Sequence, residues 1–193
     1  MVCWSGTILT SSDGSNWTSR TSGTSIDFWD VNYGNNTFVT AGVSGIISTS
    51  SDGISWTSRT SGITNGIWGG AYGNSKFVVS SVGGDILTSS GGTTWTSRTS
   101  GTSRALTHVA YGNSLFSAVG ALGTIQSSSD GTSWTTNNTG VTTDFFASTY
   151  GNSLWVIVGE NGKIYTSDGE SLTSLTSRTS GTTVTLNRAI YKE

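Results

Sequence analysis

Along most of the chain, apolar residues fall at every second position. Small polar turns interrupt them about every eight to ten residues, the pattern of short antiparallel strands. In one stretch Gly66–Tyr72 (GIWGGAY), Ser75–Ser81 (SKFVVSS), Gly84–Ser90 (GDILTSS) and Thr93–Thr99 (TTWTSRT) predict four successive strands. The connections YGNS, SVGG and SSGG are short and contain glycine, as antiparallel hairpins require. Helical repeats of similar length need long 3.6-period stripes of Leu and Ala, and the chain has none.

The four-strand unit recurs. YGN begins at Tyr33, Tyr72, Tyr111 and Tyr150, each 39 residues after the last, and Tyr191 follows at 41 because DGESLTSLTSRTSG carries a two-residue insertion. A tryptophan keeps the same beat at Trp17, Trp56, Trp95 and Trp134, with Leu175 in the fifth place. Five copies of a four-stranded antiparallel unit predict an all-β, five-bladed β-propeller, one domain over residues 1–193. Met1 aligns with Thr40, so the N-terminus is expected to supply the end of a second strand, then a third and a fourth. Leu186–Glu193 is expected to supply a first strand, so that the two ends complete one split blade and leave no exposed edge. That blade lacks the equivalent of Phe38 and is expected to be the weakest. The alternatives are a piece of a longer array or an engineered symmetric propeller, since near-identical copies suit recent duplication and design equally.

The repeated turns place Asp13, Asp52, Asp130 and Asp168 at the hairpin between third and fourth strands, with Gly91 in the remaining copy. There glycine accepts positive φ and the carboxylate bonds nearby backbone amides. Trp17, Trp56, Trp95 and Trp134 follow on the outer strand, where a large ring can wedge against the neighbouring sheet. SSDGSNW, SSDGISW and SSDGTSW resemble the Asp-box, or BNR, repeat of sialidase-like and photosystem-II-stability-factor-like propellers. The tryptophan lies one residue closer than in the usual S-x-D-x-G-x-T-W. The resemblance spans all five units and implies a structural role for these residues, remote from any active site.

Composition narrows the function. Ser and Thr together number 68, and Pro is absent, but eight Trp, six Tyr and six Phe argue against a disordered linker. A net charge of −2 without a basic block leaves no footprint for nucleic acid. The single Cys3 and single His108 exclude a disulfide framework and make a zinc site implausible; no metal or cofactor is expected. No apolar run is long enough for membrane insertion, and the first residues lack a signal-peptide pattern, so a soluble monomer is expected. Its setting is open; a virion or cell-surface assembly would suit it.

His108 has no G-x-S-x-G motif beside it and reads as a strand residue. Arg20, Arg59, Arg98 and Arg178 follow the structural repeat, with Asn137 in the fourth copy, and read as blade caps or partners of carboxylates. The expectation is therefore a non-catalytic binding module. A lectin-like or adhesin-like propeller with a glycan ligand is the first reading, a protein-interaction or assembly scaffold the alternative, and a glycosidase a distant third. The copies differ most on the face opposite the Asp-Gly turns. One corner holds Trp4, Val43, Val82, Ala121 and Glu160, and the approach to the first strand holds Asp27, Gly66, Ala105, Asp144 and Thr185. Further along come Trp29, Trp68, Thr107, Phe146 and Asn187, then Asp30, Gly69, His108, Ala147 and Arg188. An asymmetric ligand site at the channel mouth is expected there, formed by Trp4, Asp27, Trp29, Trp68, His108, Asp144, Glu160 and Arg188.

Overall fold

The computed structural model describes residues 1–169 and 171–191. Alternating side chains and glycine turns produce five sheets in sequence order. The first is a two-stranded pair, β1 (Ile8–Thr10) and β2 (Thr18–Arg20). Four complete blades follow. The first contains β3 (Phe28–Gly34), β4 (Thr37–Gly42), β5 (Ile47–Ser50) and β6 (Thr57–Arg59). The second contains β7 (Ile67–Gly73), β8 (Lys76–Ser81), β9 (Ile86–Ser89) and β10 (Thr96–Arg98). The third contains β11 (Leu106–Gly112), β12 (Leu115–Gly120), β13 (Ile125–Ser128) and β14 (Thr135–Thr136). The fourth contains β15 (Phe145–Gly151), β16 (Leu154–Gly159), β17 (Ile164–Asp168) and β18 (Thr176–Arg178). Within each blade neighbouring strands pair antiparallel in chain order, as in a five-bladed β-propeller. Among the described residues no helix is long and apolar enough to cross a membrane.

Blades cohere through apolar clusters that cross from one sheet to the next. Val39, Ala41 and Ile47 of the first blade pack with Ile67, Phe77, Val79 and Leu87 of the second. Val78 and Ile86 pack in turn with Leu106, Phe116 and Ala118 of the third. A second device is local to YGN. A β-carbon on Gly34 would overlap the Tyr72 ring, and the same holds for Gly73 under Tyr111, Gly112 under Tyr150 and Gly151 under Tyr191. Each tyrosine therefore closes on the glycine of the preceding copy, and only a residue without a side chain leaves room.

The repeated hairpin is held by side-chain bonds to the backbone. The Asp52 carboxylate accepts the N–H groups of Ile54 and Ser55, both at 2.8 Å, and Asp13 and Asp130 repeat the arrangement. These bonds hold the Asp52 carboxyl at a pKa of about 2, the Ser55 N–H contributing most, and hold those of Asp13 and Asp130 below the usual carboxylate range. The Trp56 indole donates to the Gly53 carbonyl at 3.0 Å, as Trp17, Trp95 and Trp134 do in their own turns. Trp95 and Trp134 pack against the inter-blade clusters, but all four indoles are only partly covered, and Trp17 is 47% exposed. Asp168 ends β17 and is exposed; Glu170 lies outside the described residues.

The terminal unit departs from the expected pairing. Val2 bridges Ile8, and Met1 exchanges both backbone bonds with Leu9, so the second-strand remnant is present. The segment before Tyr191 occupies the place of a first strand: Leu186 N–H donates to Gly159 O at 3.0 Å, as Phe28 N–H does to Cys3 O. Yet residues 185–191 form no strand ladder with Met1–Val2. In complete blades the first two strands meet through a two-residue turn such as Asn35–Asn36, which sets their register. Lys192 and Glu193, the end of that expected strand, lie outside the described residues.

Candidate functional site

Every complete blade breaks register at one place in its first strand. Phe28 faces Gly42 and Asp30 faces Ala41, which leaves Trp29 as a bulge; Trp68, Thr107 and Phe146 are the same bulge in the next three blades. A bulge re-aims its side chain away from the pleat. Here the bulged residues surround one opening of about 370 Å³, lined by Trp29, Trp68, Thr107, Phe146, Asn187 and Arg188. Four complete repeats and the C-terminal segment thus all contribute to one channel mouth. Trp29 and Trp68 meet edge to face, ring centroids 5.6 Å apart. Gly66 makes this possible, since a β-carbon there would come within 2.6 Å of the Trp29 ring.

One residue further along each strand, a polar layer lies below the aromatic rim. The Asp30 carboxylate accepts the backbone N–H of Gly70 and the amide of Asn32, both at 2.8 Å. At the equivalent position two blades on, His108 Nδ1 accepts the N–H of Ser148 at 3.4 Å. Each side chain ties its own blade to the innermost strand of the next. Gly69 lies between them, where a β-carbon would stand 2.9 Å from His108 Cα, so the backbone there approaches too closely for a side chain. Arg188 approaches Asp30 to 4.0 Å and remains more than half exposed. Burial raises the Asp30 pKa above the usual carboxylate value, opposed by its Asn32 bond, Arg188 and the Gly70 N–H. Burial, followed by the nearby Arg188 charge, depresses His108 to about 4, so its ring is neutral near pH 7.

Of the residues expected at the site, Trp29, Trp68 and Arg188 line the mouth, and His108 lies in the layer beneath. Asp27 and Asp144 do not line it. Asp27 accepts the N–H of Ser5 at 2.7 Å and Asp144 that of Leu122 at 2.8 Å. Both donors, Ser5 and Leu122, hold positive φ, 54° and 52°, so these carboxylates brace strained corners of the preceding unit. Trp4, 76% exposed, and the exposed Glu160 occupy corner loops outside the opening. Thr107, Phe146, Asn187 and Asp30 belong to the mouth and its lower layer although they were not among the expected site residues. Their signal was the column itself: each stands in register with a residue that was.

No protein-family model matches the chain, and no curated protein matches it either. Solved structures do. YCF48 bound to a D1 peptide superposes with a TM-score of 0.69 at 18% identity, over 91% of this chain and 61% of that one. YCF48 from Cyanidioschyzon merolae gives 0.63 at 15% identity, over 92% and 68%. The chain therefore spans about three fifths of the first structure's length. At such identity the likeness is one of fold, and that fold is the β-propeller.

Proposed function

We propose that the protein is a non-catalytic binding propeller that docks a protein segment at the channel mouth. The observation that carries this reading is the asymmetric opening, in which Trp29, Trp68 and Phe146 stand beside the exposed guanidinium of Arg188. Partly covered aromatic rings next to an arginine are the residue types that anchor protein partners. A fold neighbour solved with a peptide bound adds support, since it is a propeller of related shape that takes a polypeptide ligand. A Ser/His triad finds no support, since His108 Nδ1 accepts the Ser148 N–H and, among the described residues, no hydroxyl is hydrogen-bonded to the ring. A glycan is the second reading, favoured by the Trp29–Trp68 pair, since sugar faces stack on indoles.

The test is selection from a phage-displayed random peptide library against the immobilised protein, in parallel with a glycan array. The expected result is saturable peptide binding that Trp68→Ala and Arg188→Ala each weaken about tenfold or more, with Trp17→Ala unchanged. Saturable binding to a neutral glycan and to no peptide would replace the protein partner with a sugar. Peptide binding indifferent to both mouth variants would remove the site.

A further inference from the structure

The repeated arginines are locked in place. Arg20, Arg59, Arg98 and Arg178 each donate Nε to a threonine on the adjacent third strand, Thr10, Thr49, Thr88 and Thr166, at 2.8 Å in every copy. In the remaining copy Asn137 donates to Ser127 instead, also at 2.8 Å. That bond engages one of the five N–H groups of a guanidinium. Among the described residues no carboxylate lies within 4.0 Å of any of the four; the ion pair present is Arg188–Asp30. Of the two roles the sequence suggests, blade cap or partner of a carboxylate, the second is therefore not seen among the described residues, and each arginine is a cation oriented by its threonine.

Three of them line grooves of one design, each between the outer strand, the turn after it and the corner joining second and third strands. The grooves of Arg59, Arg98 and Arg178 measure about 480, 490 and 690 Å³. The walls of the Arg98 and Arg178 grooves carry glycine, serine and threonine but no large apolar side chain. Lys163 adds a second cation to the Arg178 groove. Asp85 lines the Arg98 groove, where its carboxylate accepts bonds from Ser81 and Asn65.

We propose that these grooves are a repeated set of subsites for the acidic groups of an anionic polysaccharide. A guanidinium presents a planar fork that matches a carboxylate or sulfate, and surrounding hydroxyls and backbone groups suit sugar hydroxyls. A peptide is disfavoured because two of the grooves offer no apolar pocket for an anchor side chain. Because the subsite recurs in three of the blades, a polymer with regularly spaced acids engages several at once, and weak contacts combine. This site is independent of the channel mouth.

Binding to immobilised polygalacturonate tests it, with dextran sulfate as the sulfated arm and neutral dextran as control. The parent protein should bind the acidic polymers but not dextran, and more weakly as NaCl rises from about 20 to about 150 mM. Whichever acidic polymer binds tighter identifies the acid. The R59Q/R98Q/R178Q variant should lose about tenfold or more, and each single variant about two- to threefold. S127T/N137R, which completes the fourth groove, should bind tighter, a gain that does not depend on the triple variant folding. Trp68→Ala should leave polysaccharide binding unchanged. A folded triple variant within twofold of the parent, equal binding to dextran, or no binding by the parent would overturn the proposal.

Discussion

The carboxylate of Asp30 accepts the backbone N–H of Gly70 at 2.8 Å, so a side chain of one blade is tied to the innermost strand of the next. His108 makes the equivalent bond to Ser148 two blades on. Around the channel these contacts do two things: they hold blades together, and they set the charge beneath the aromatic rim.

The His108 contact has a pH signature. Its folded pKa of about 4 lies below the ordinary 6.5, so the unfolded chain binds the proton more readily. Stability attributable to this group is complete above about 6.5 and falls as the pH drops from there towards 4. NMR titration of the ring should return a midpoint near 4. A midpoint near 6.5 would show that the ring is solvated and the inter-blade bond absent.

Gly73 beneath Tyr111 tests blade-to-blade packing. Gly73→Ala forces a methyl group into the ring and should cost about 1–3 kcal/mol in chemical denaturation. Gly91→Ala, where nothing lies within 4 Å, should stay within about 0.5 kcal/mol. Equal effects at the two sites would contradict the packing described.

Partial exposure lowers the expected cost of losing the repeated tryptophans. Trp95 packs on the cluster shared by two blades, and Trp95→Ala should cost about 2–3 kcal/mol, below the ~3–5 kcal/mol of a fully buried aromatic. Trp17, 47% exposed, should cost clearly less when replaced by Ala. Thermal unfolding of the two variants gives the order directly.

Gly91 occupies the turn position that Asp52 fills elsewhere, although the Ser89 bond to the Gly92 N–H is retained there at 2.8 Å. Gly91→Asp should supply the missing acceptor for two turn amides and raise the melting temperature at neutral pH. If the new carboxyl behaves as Asp52 does, the gain is present above the unfolded value of 3.8 and disappears as pH falls through about 2. An unchanged melting temperature would mean that the Ser89 bond alone sets the turn.

Much of the fold was legible because it depends on local rules repeated five times. The strand expected at Ser75–Ser81 is β8, and that at Thr93–Thr99 contains β10. The bulges at Trp29, Trp68, Thr107 and Phe146 were not legible, since period-2 alternation does not register one extra residue, and these bulges are what turn the column into the channel. Asp27 and Asp144 look like ligand carboxylates in a list of varying positions. Only the geometry shows them accepting the N–H groups of Ser5 and Leu122. The arginine grooves were hidden for the opposite reason: identical copies suggest structure, and the absence of a carboxylate within 4.0 Å of them, among the described residues, appears only in three dimensions.

The central claim, docking at the aromatic mouth, is tested most directly by the indole ¹H–¹⁵N resonances of the eight tryptophans during titration with a library-selected peptide. Trp29 and Trp68 line the mouth, whereas Trp17, Trp56, Trp95 and Trp134 donate their indole N–H to turn carbonyls on the opposite face. The account predicts saturable shifts of the Trp29 and Trp68 signals while those four stay in place. Shifts among the four turn tryptophans, with Trp29 and Trp68 unmoved, would contradict it.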